Sequence, residues 1–207
     1  MQITELFFSL QGEGKNAGLP TVFVRTTGCN LRCSYCDTAY AYSEGAEMDV
    51  PEVIETMQRW RCRRACITGG EPLLQEDMPG LTDALLADGY AIEVETNGSQ
   101  DVAWLTRRDV TVSLDIKCPS SGMQDEMRMD NLAVLRPRDQ LKFVIGTRED
   151  YDHACSVIER YAPACQVVMQ PVWQSHVELA DWIVQDEIDV RLSLQLHKIL
   201  WGDRKGI

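Results

Sequence analysis

The chain has 207 residues, 44% of them hydrophobic, with 20 Lys and Arg against 32 Asp and Glu and a net charge of −12. The length suits one domain with a substantial core. The acidic balance argues against a nucleic-acid polyanion as direct partner and leaves a small molecule as the expected substrate. No apolar run is long enough to span a membrane, and Glu5 and Gln11 interrupt any signal-peptide pattern, so a single cytoplasmic domain is expected.

In chain order, residues 8–14 (Phe8-Ser9-Leu10-Gln11-Gly12-Glu13-Gly14) read as a loop. Short β-branched runs follow at 21–26, 65–68, 91–95, 111–115, 141–146, 166–170 and 190–195, the pattern of buried parallel strands. Between them, residues 51–60 place Val53, Ile54, Met57 and Trp60 on one helical face, behind Asp49 as N-cap with Glu52 completing a capping box. Helices also fit 76–88, 149–161 and 175–185. This α/β alternation implies right-handed crossovers and a sheet covered by helices, either a partial barrel or a doubly wound fold.

In both architectures reactive groups gather at the C-terminal ends of the strands. The segments Arg25-Thr26-Thr27-Gly28-Cys29, Thr68-Gly69-Gly70-Glu71-Pro72, Glu95-Thr96-Asn97-Gly98, Ser113-Leu114-Asp115-Ile116-Lys117 and Gln170-Pro171 would converge there on one rim. Paired glycines let backbone approach a ligand closely, and Glu71 can accept hydrogen bonds from an ammonium group.

Eight cysteines are present, and Cys29, Cys33 and Cys36 share one loop at C-x3-C-x2-C spacing. The others are scattered, so a reducing compartment without disulfides is expected. A zinc knuckle or a closed structural cluster would want a fourth nearby ligand, and the next cysteine, Cys62, is far along the chain. Three thiolates can hold three irons of a 4Fe-4S cluster and leave the fourth iron open, although a zinc site or plain buried thiols remain alternatives. Cys62 and Cys66 repeat a C-x3-C spacing, but Cys66 reads as core and Cys62 as incidental. Cys118 can line the site, whereas Cys155 and Cys165 read as packing residues.

The cysteine spacing, with Tyr35 before the third thiol, resembles the radical S-adenosylmethionine (SAM) superfamily. Beside it stand the SLQGEG segment, Cys36-Asp37-Thr38, Gly69-Gly70-Glu71-Pro72, Glu95-Thr96-Asn97-Gly98 and Gln195-Leu196-His197-Lys198. Over nearly the whole chain this set is similar to the 7-carboxy-7-deazaguanine synthase family, whose members act in the queuosine and archaeosine pathways. The resemblance implies a partial β/α barrel forming one radical SAM domain over residues 1–207, with a substrate loop at 8–14 and a substrate-contacting tail at 195–207. It also implies a carbon-nitrogen lyase using a 4Fe-4S cluster, SAM and Mg2+ on 6-carboxy-5,6,7,8-tetrahydropterin, with a homodimeric assembly.

By that resemblance Cys29, Cys33 and Cys36 hold the cluster and Thr38 the magnesium. Gly70, Glu71, Glu95, Thr96, Asn97, Ser113, Asp115, Lys117 and Gln170 form the SAM site. Ser113 and Lys117 suit the methionine carboxylate through a hydroxyl and a cation. Gln11 and Glu13 suit the polar edge of a pterin, and Arg25, a charge inside an apolar strand, suits its carboxylate. Leu10, Gly12, Gly69, His197 and Ile207 complete the substrate site. The basic run at residues 59–64 reads as a solvated helix end or as a docking patch for an acidic electron donor such as flavodoxin or ferredoxin. Two rival readings are an activase that installs a glycyl radical on a partner protein, and a non-catalytic iron-sulfur or zinc module.

Overall fold

The computed structural model describes residues 1–172, 175–204 and 206. A nine-stranded sheet runs in the order β3-β1-β2-β4-β5-β6-β7-β8-β9. Its strands are β1 (Gln2–Leu10), β2 (Pro20–Thr26), β3 (Ala46–Glu47), β4 (Arg64–Gly69), β5 (Ala91–Thr96), β6 (Val110–Ile116), β7 (Gln140–Ile145), β8 (Gln166–Pro171) and β9 (Arg191–Leu192). From β2 to β9 every neighbouring pair is parallel, whereas β1 is antiparallel to both β2 and β3. The helices are α1 (Val50–Met57), α2 (Met78–Ala87), α3 (Ala103–Thr106), α4 (Arg148–Tyr161), α5 (His176–Gln185) and α6 (Leu196–Trp201).

Alternation along the strands sorts side chains into two environments. Val22 and Val24, Ala65 and Ile67, Ile92 and Val94, Val112 and Leu114, and Leu141 and Phe143 face the helices in one continuous core. Burial of each aliphatic side chain there contributes about 2 kcal/mol. The other face is polar: Arg25, Thr68, Glu93, Glu95, Ser113, Asp115, Gln140 and Lys142 occupy the alternate positions.

That polar face curls into an incomplete barrel. The turn after β1 touches β5 and β7, since Asn16 Nδ2 donates to Glu93 at 2.6 Å and Lys15 N donates to Gln140 Oε1 at 2.9 Å. In a flat sheet β2 and β7 would stand about 19 Å apart, four strand spacings, so only a curled sheet brings this turn to β7.

The capping signals act as read. Asp49 Oδ1 accepts from Glu52 N and Glu52 Oε2 accepts from Asp49 N, both at 2.8 Å, and α1 starts there. The helix stops at Met57, before the basic run. The expected loop at 8–14 is shorter than anticipated, because β1 continues through Leu10. The last strand is only Arg191–Leu192, and the tail carries α6. Those terminal pieces are fixed by contacts with distant residues, a signal that local periodicity does not carry.

Candidate active site

A cavity of about 390 Å3 opens at the C-terminal ends of the parallel strands. The chain enters it through the loop after β2. Gly28, at φ 96°, starts the cysteine loop, and its carbonyl accepts from Glu71 N at 2.7 Å. The glycine pair at the end of β4 makes this contact possible: a β-carbon on Gly69 would overlap Thr26 backbone, and one on Gly70 would overlap the Gly28 carbonyl. In this structure, then, the pair admits the neighbouring cysteine loop.

Cys29, Cys33 and Cys36 all line the cavity. Cys36 N donates to Cys33 O at 3.2 Å, and Cys29 Sγ accepts from Leu31 N at 3.4 Å. Asn97 Nδ2 lies 3.7 Å from the same sulfur, tying the end of β5 to the loop. Burial pushes the Cys33 thiol up, with Cys36 and Cys29 adding to the rise and Lys117 opposing it. Three thiols lining one cavity are the donors that three irons of a 4Fe-4S cluster need, while among the described residues no three such side chains are gathered around a single metal position.

Of the residues read as a SAM site, Gly70, Glu95, Thr96, Asn97, Asp115, Lys117 and Gln170 line the cavity. Gln170 is 4% exposed, and its Oε1 has no hydrogen-bond partner among the described residues, so it can accept from an incoming donor. Glu71 and Ser113, read into the same set, do not line the cavity and lie behind its wall. Glu71 is fully buried, and its carboxylate accepts from Leu73 N, Thr96 Oγ1 and Asn97 N at 3.0, 2.8 and 2.6 Å. Burial pushes it up to about 7, and it braces the end of β5 from behind the cavity wall. Ser113 is 1% exposed and accepts from Gln140 Nε2 at 2.8 Å. It shares the face of Asp115 but lies two residues, roughly 7 Å, deeper in the barrel.

Of the residues read as a substrate site, Leu10, Gln11, Gly12, Glu13, Arg25, Gly69 and His197 line the same cavity. Ile207 lies outside the described residues. Gln11 Nε2 donates to Glu95 at 3.0 Å, and Gln11 Oε1 accepts from Gly12 N at 2.8 Å. Arg25 Nε donates to Glu5 at 2.7 Å, where Tyr40 Oη also donates at 2.8 Å. Thr38 lines the cavity beside them and donates to Asp37 Oδ1 at 2.8 Å.

The structure adds Asp37, Lys142, Gln195 and Lys198 to this set. Glu13 Oε1 accepts from Gln195 Nε2 at 2.9 Å, and Glu13 Oε2 accepts from Lys142 Nζ at 2.9 Å. Burial opposes ionisation of Glu13, yet Lys142 beside it holds its pKa below the ordinary value. Asp37 Oδ2 accepts from Gln195 and Lys198 at 3.0 and 2.8 Å. The N-terminal loop, the cysteine loop and α6 are thereby tied together. Lys142 carries the same signal as Arg25, a charge inside an apolar strand.

The other cysteines play no part in the cavity wall. Cys118 is fully buried in the main core, and Cys66 is buried against Phe7 and Phe23. All eight cysteines are free. The basic run precedes β4, at the strand end opposite the cysteine loop and about 20 Å of strand away. Within it Arg63 stacks on Tyr90 and Arg64 donates to Pro20 O at 2.9 Å.

A curled parallel sheet with three thiols and a polar rim at its C-terminal edge defines the class, and a family model described as the radical SAM superfamily matches residues 23–161. A 7-carboxy-7-deazaguanine synthase of Koribacter versatilis is 38% identical over 100% of both chains. One of Thermoplasma acidophilum is 39% identical, also over 100% of both. The chain belongs to the 7-carboxy-7-deazaguanine synthase family within that superfamily. The fold is similar to the crystal structure of QueE from Escherichia coli, with a TM-score of 0.76 at 21% identity over 95% of this chain and 94% of that one. Among the described residues no helix is long and apolar enough to cross a membrane.

Proposed function

We propose that the chain converts 6-carboxy-5,6,7,8-tetrahydropterin to 7-carboxy-7-deazaguanine by radical ring contraction with loss of ammonia. The observation that carries this reading is the single cavity that gathers the cysteine loop, the strand-end polar set, Gln11-Gly12-Glu13 and His197. A bound cluster and SAM would supply the one-electron chemistry for the hydrogen abstraction that starts the ring contraction.

The chain's own residues bind and orient. Cys29, Cys33 and Cys36 hold the cluster. Gly70, Glu95, Thr96, Asn97, Asp115, Lys117 and Gln170 hold SAM, with Glu71 and Ser113 acting from behind. Lys117 takes the methionine carboxylate, and Thr38 supplies an oxygen ligand to magnesium. Glu13, ionised, accepts hydrogen bonds from the N–H edge of the pterin, Gln11 adds donor and acceptor, and Arg25 holds the carboxylate through its remaining guanidinium nitrogens. Leu10, Gly12, Gly69 and His197 close the substrate side, and Ile207 joins them through the tail. The full-length relatives named as 7-carboxy-7-deazaguanine synthases favour this reading over an activase acting on a protein segment. A flavodoxin or ferredoxin as electron donor, a homodimer and a cytoplasmic location belong to the same reading.

The test is stoichiometry under anaerobic turnover with excess pterin and a low-potential reductant. The reading expects one ammonia per pterin consumed with no net loss of SAM; consumption of one SAM per turnover, or pterin loss without ammonia, contradicts it.

A further inference from the structure

Four charged side chains run in single file along the cavity wall. Lys117 Nζ donates to Asp115 Oδ2 at 2.6 Å, Lys142 Nζ reaches Asp115 Oδ1 at 3.3 Å, and the same ammonium donates to Glu13 Oε2 at 2.9 Å. Their side chains are 12%, 14%, 9% and 16% exposed, in the order Lys117, Asp115, Lys142, Glu13. Cation and anion alternate, so the file is neutral and each inner member is shared by two neighbours.

Its ends belong to different halves of the site. Lys117 and Asp115 lie at and just past the end of β6, among the residues assigned to the cofactor, while Glu13 lies in the N-terminal loop assigned to the pterin. In a poorly solvated wall a change of partner at one end is felt at the next, because Coulombic terms are weakly screened there. An ammonium has three donors and no fixed fork, so it exchanges one carboxylate for another with little rearrangement. Glu13 is steadied meanwhile by Gln195 on its other oxygen, at 2.9 Å.

We infer that Lys142 couples the binding of cofactor and pterin. A carboxylate arriving at Lys117 takes that ammonium from Asp115. Asp115 then draws Lys142 toward itself, and Glu13 Oε2 is released to accept the N–H donors of the pterin. The coupling is positive, and by thermodynamic reciprocity the pterin tightens SAM by the same factor. The inference rests on the function proposed above and adds a regulatory link within that site.

Equilibrium binding tests it without turnover. The pterin is titrated calorimetrically into cluster-loaded protein lacking reductant, with and without saturating SAM. Wild type should bind pterin at least about 5-fold more tightly with SAM, the low end of ordinary coupling energies. Lys142→Met should still bind SAM alone, which reports a folded site, but the ratio should fall to about one. If Lys142→Met does not fold, Asp115→Asn, which keeps the shape and breaks the file, is titrated at SAM concentrations first shown to saturate that variant, and its ratio should likewise fall to about one. A wild-type ratio of one, or a Lys142→Met protein with the wild-type ratio, overturns the coupling alone. Failure of wild type to bind pterin in either state overturns the proposed function, and the coupling with it.

Discussion

The imidazole of His197 lies directly against the α-carbon of Gly12, so closely that a β-carbon there would overlap Nδ1. Alongside it Leu196 N donates to Gly12 O at 2.9 Å, docking α6 on the loop that carries Gln11 and Glu13. Gly12→Ala must therefore displace the imidazole from this position, either by turning the side chain or by moving α6 with it. The expected outcome is a fall in kcat/KM for the pterin of about 100-fold, the usual cost of roughly 1 Å of misplacement, with iron content unchanged. Steady-state kinetics and iron analysis check it, and wild-type kcat/KM in Gly12→Ala would show that this packing is not needed.

Cluster and substrate roles fall to different residues of the one cavity. Cys29→Ala, Cys33→Ala and Cys36→Ala should each remove an iron ligand, abolishing both the cluster absorbance and SAM cleavage. Arg25→Ala should keep the absorbance and slow abortive SAM cleavage while weakening pterin use by about 10- to 100-fold, the effect of losing a charged hydrogen-bond partner. Absorbance spectra with 5'-deoxyadenosine and product assays distinguish these patterns. A brown, active triple-alanine protein would place the cluster elsewhere.

Beneath the cavity, Glu93 accepts from Asn16 at 2.6 Å and from Gln140 at 3.1 Å, and burial, with Glu95 beside it, pushes its pKa up to about 7. The native carboxyl thus keeps a proton that the unfolded chain releases near the ordinary 4.5. Between those values the native state binds more protons, so this group's contribution to stability is full below 4.5 and is lost as pH rises through 7. The loss amounts to at most about 3 kcal/mol. Glu93→Gln should flatten the decline of the denaturant midpoint between about pH 5 and pH 8. Parallel pH profiles for the two proteins would show that Glu93 is not responsible.

Much of this arrangement was legible in the chain. Parallel strands buried on both faces read as β-branched runs, and β2, β4, β5, β6, β7 and β8 lie within a residue or two of expectation. Arg25 was visible as a charge in an apolar strand, and the cysteines by spacing. β1 was missed because Ser9, Gln11 and the glycines around them read as loop while Gln2–Leu10 pairs antiparallel with β2. Glu71 and Ser113 were placed on the right strand ends, but a motif does not say which way a carboxylate turns or how deep a hydroxyl lies. Lys142, between Leu141 and Phe143, carries the same signature as Arg25. Its partner Glu13 is 129 positions away, and the bond from Gln195 to Glu13 spans 182. Such pairings arise only when the curled sheet closes.

The most direct measurement is mass spectrometry of the product after anaerobic reconstitution with iron and sulfide and incubation with SAM, reductant, magnesium and 6-carboxytetrahydropterin. The account predicts 7-carboxy-7-deazaguanine as the product. Cleavage of SAM with the pterin left intact in fully loaded protein would contradict it.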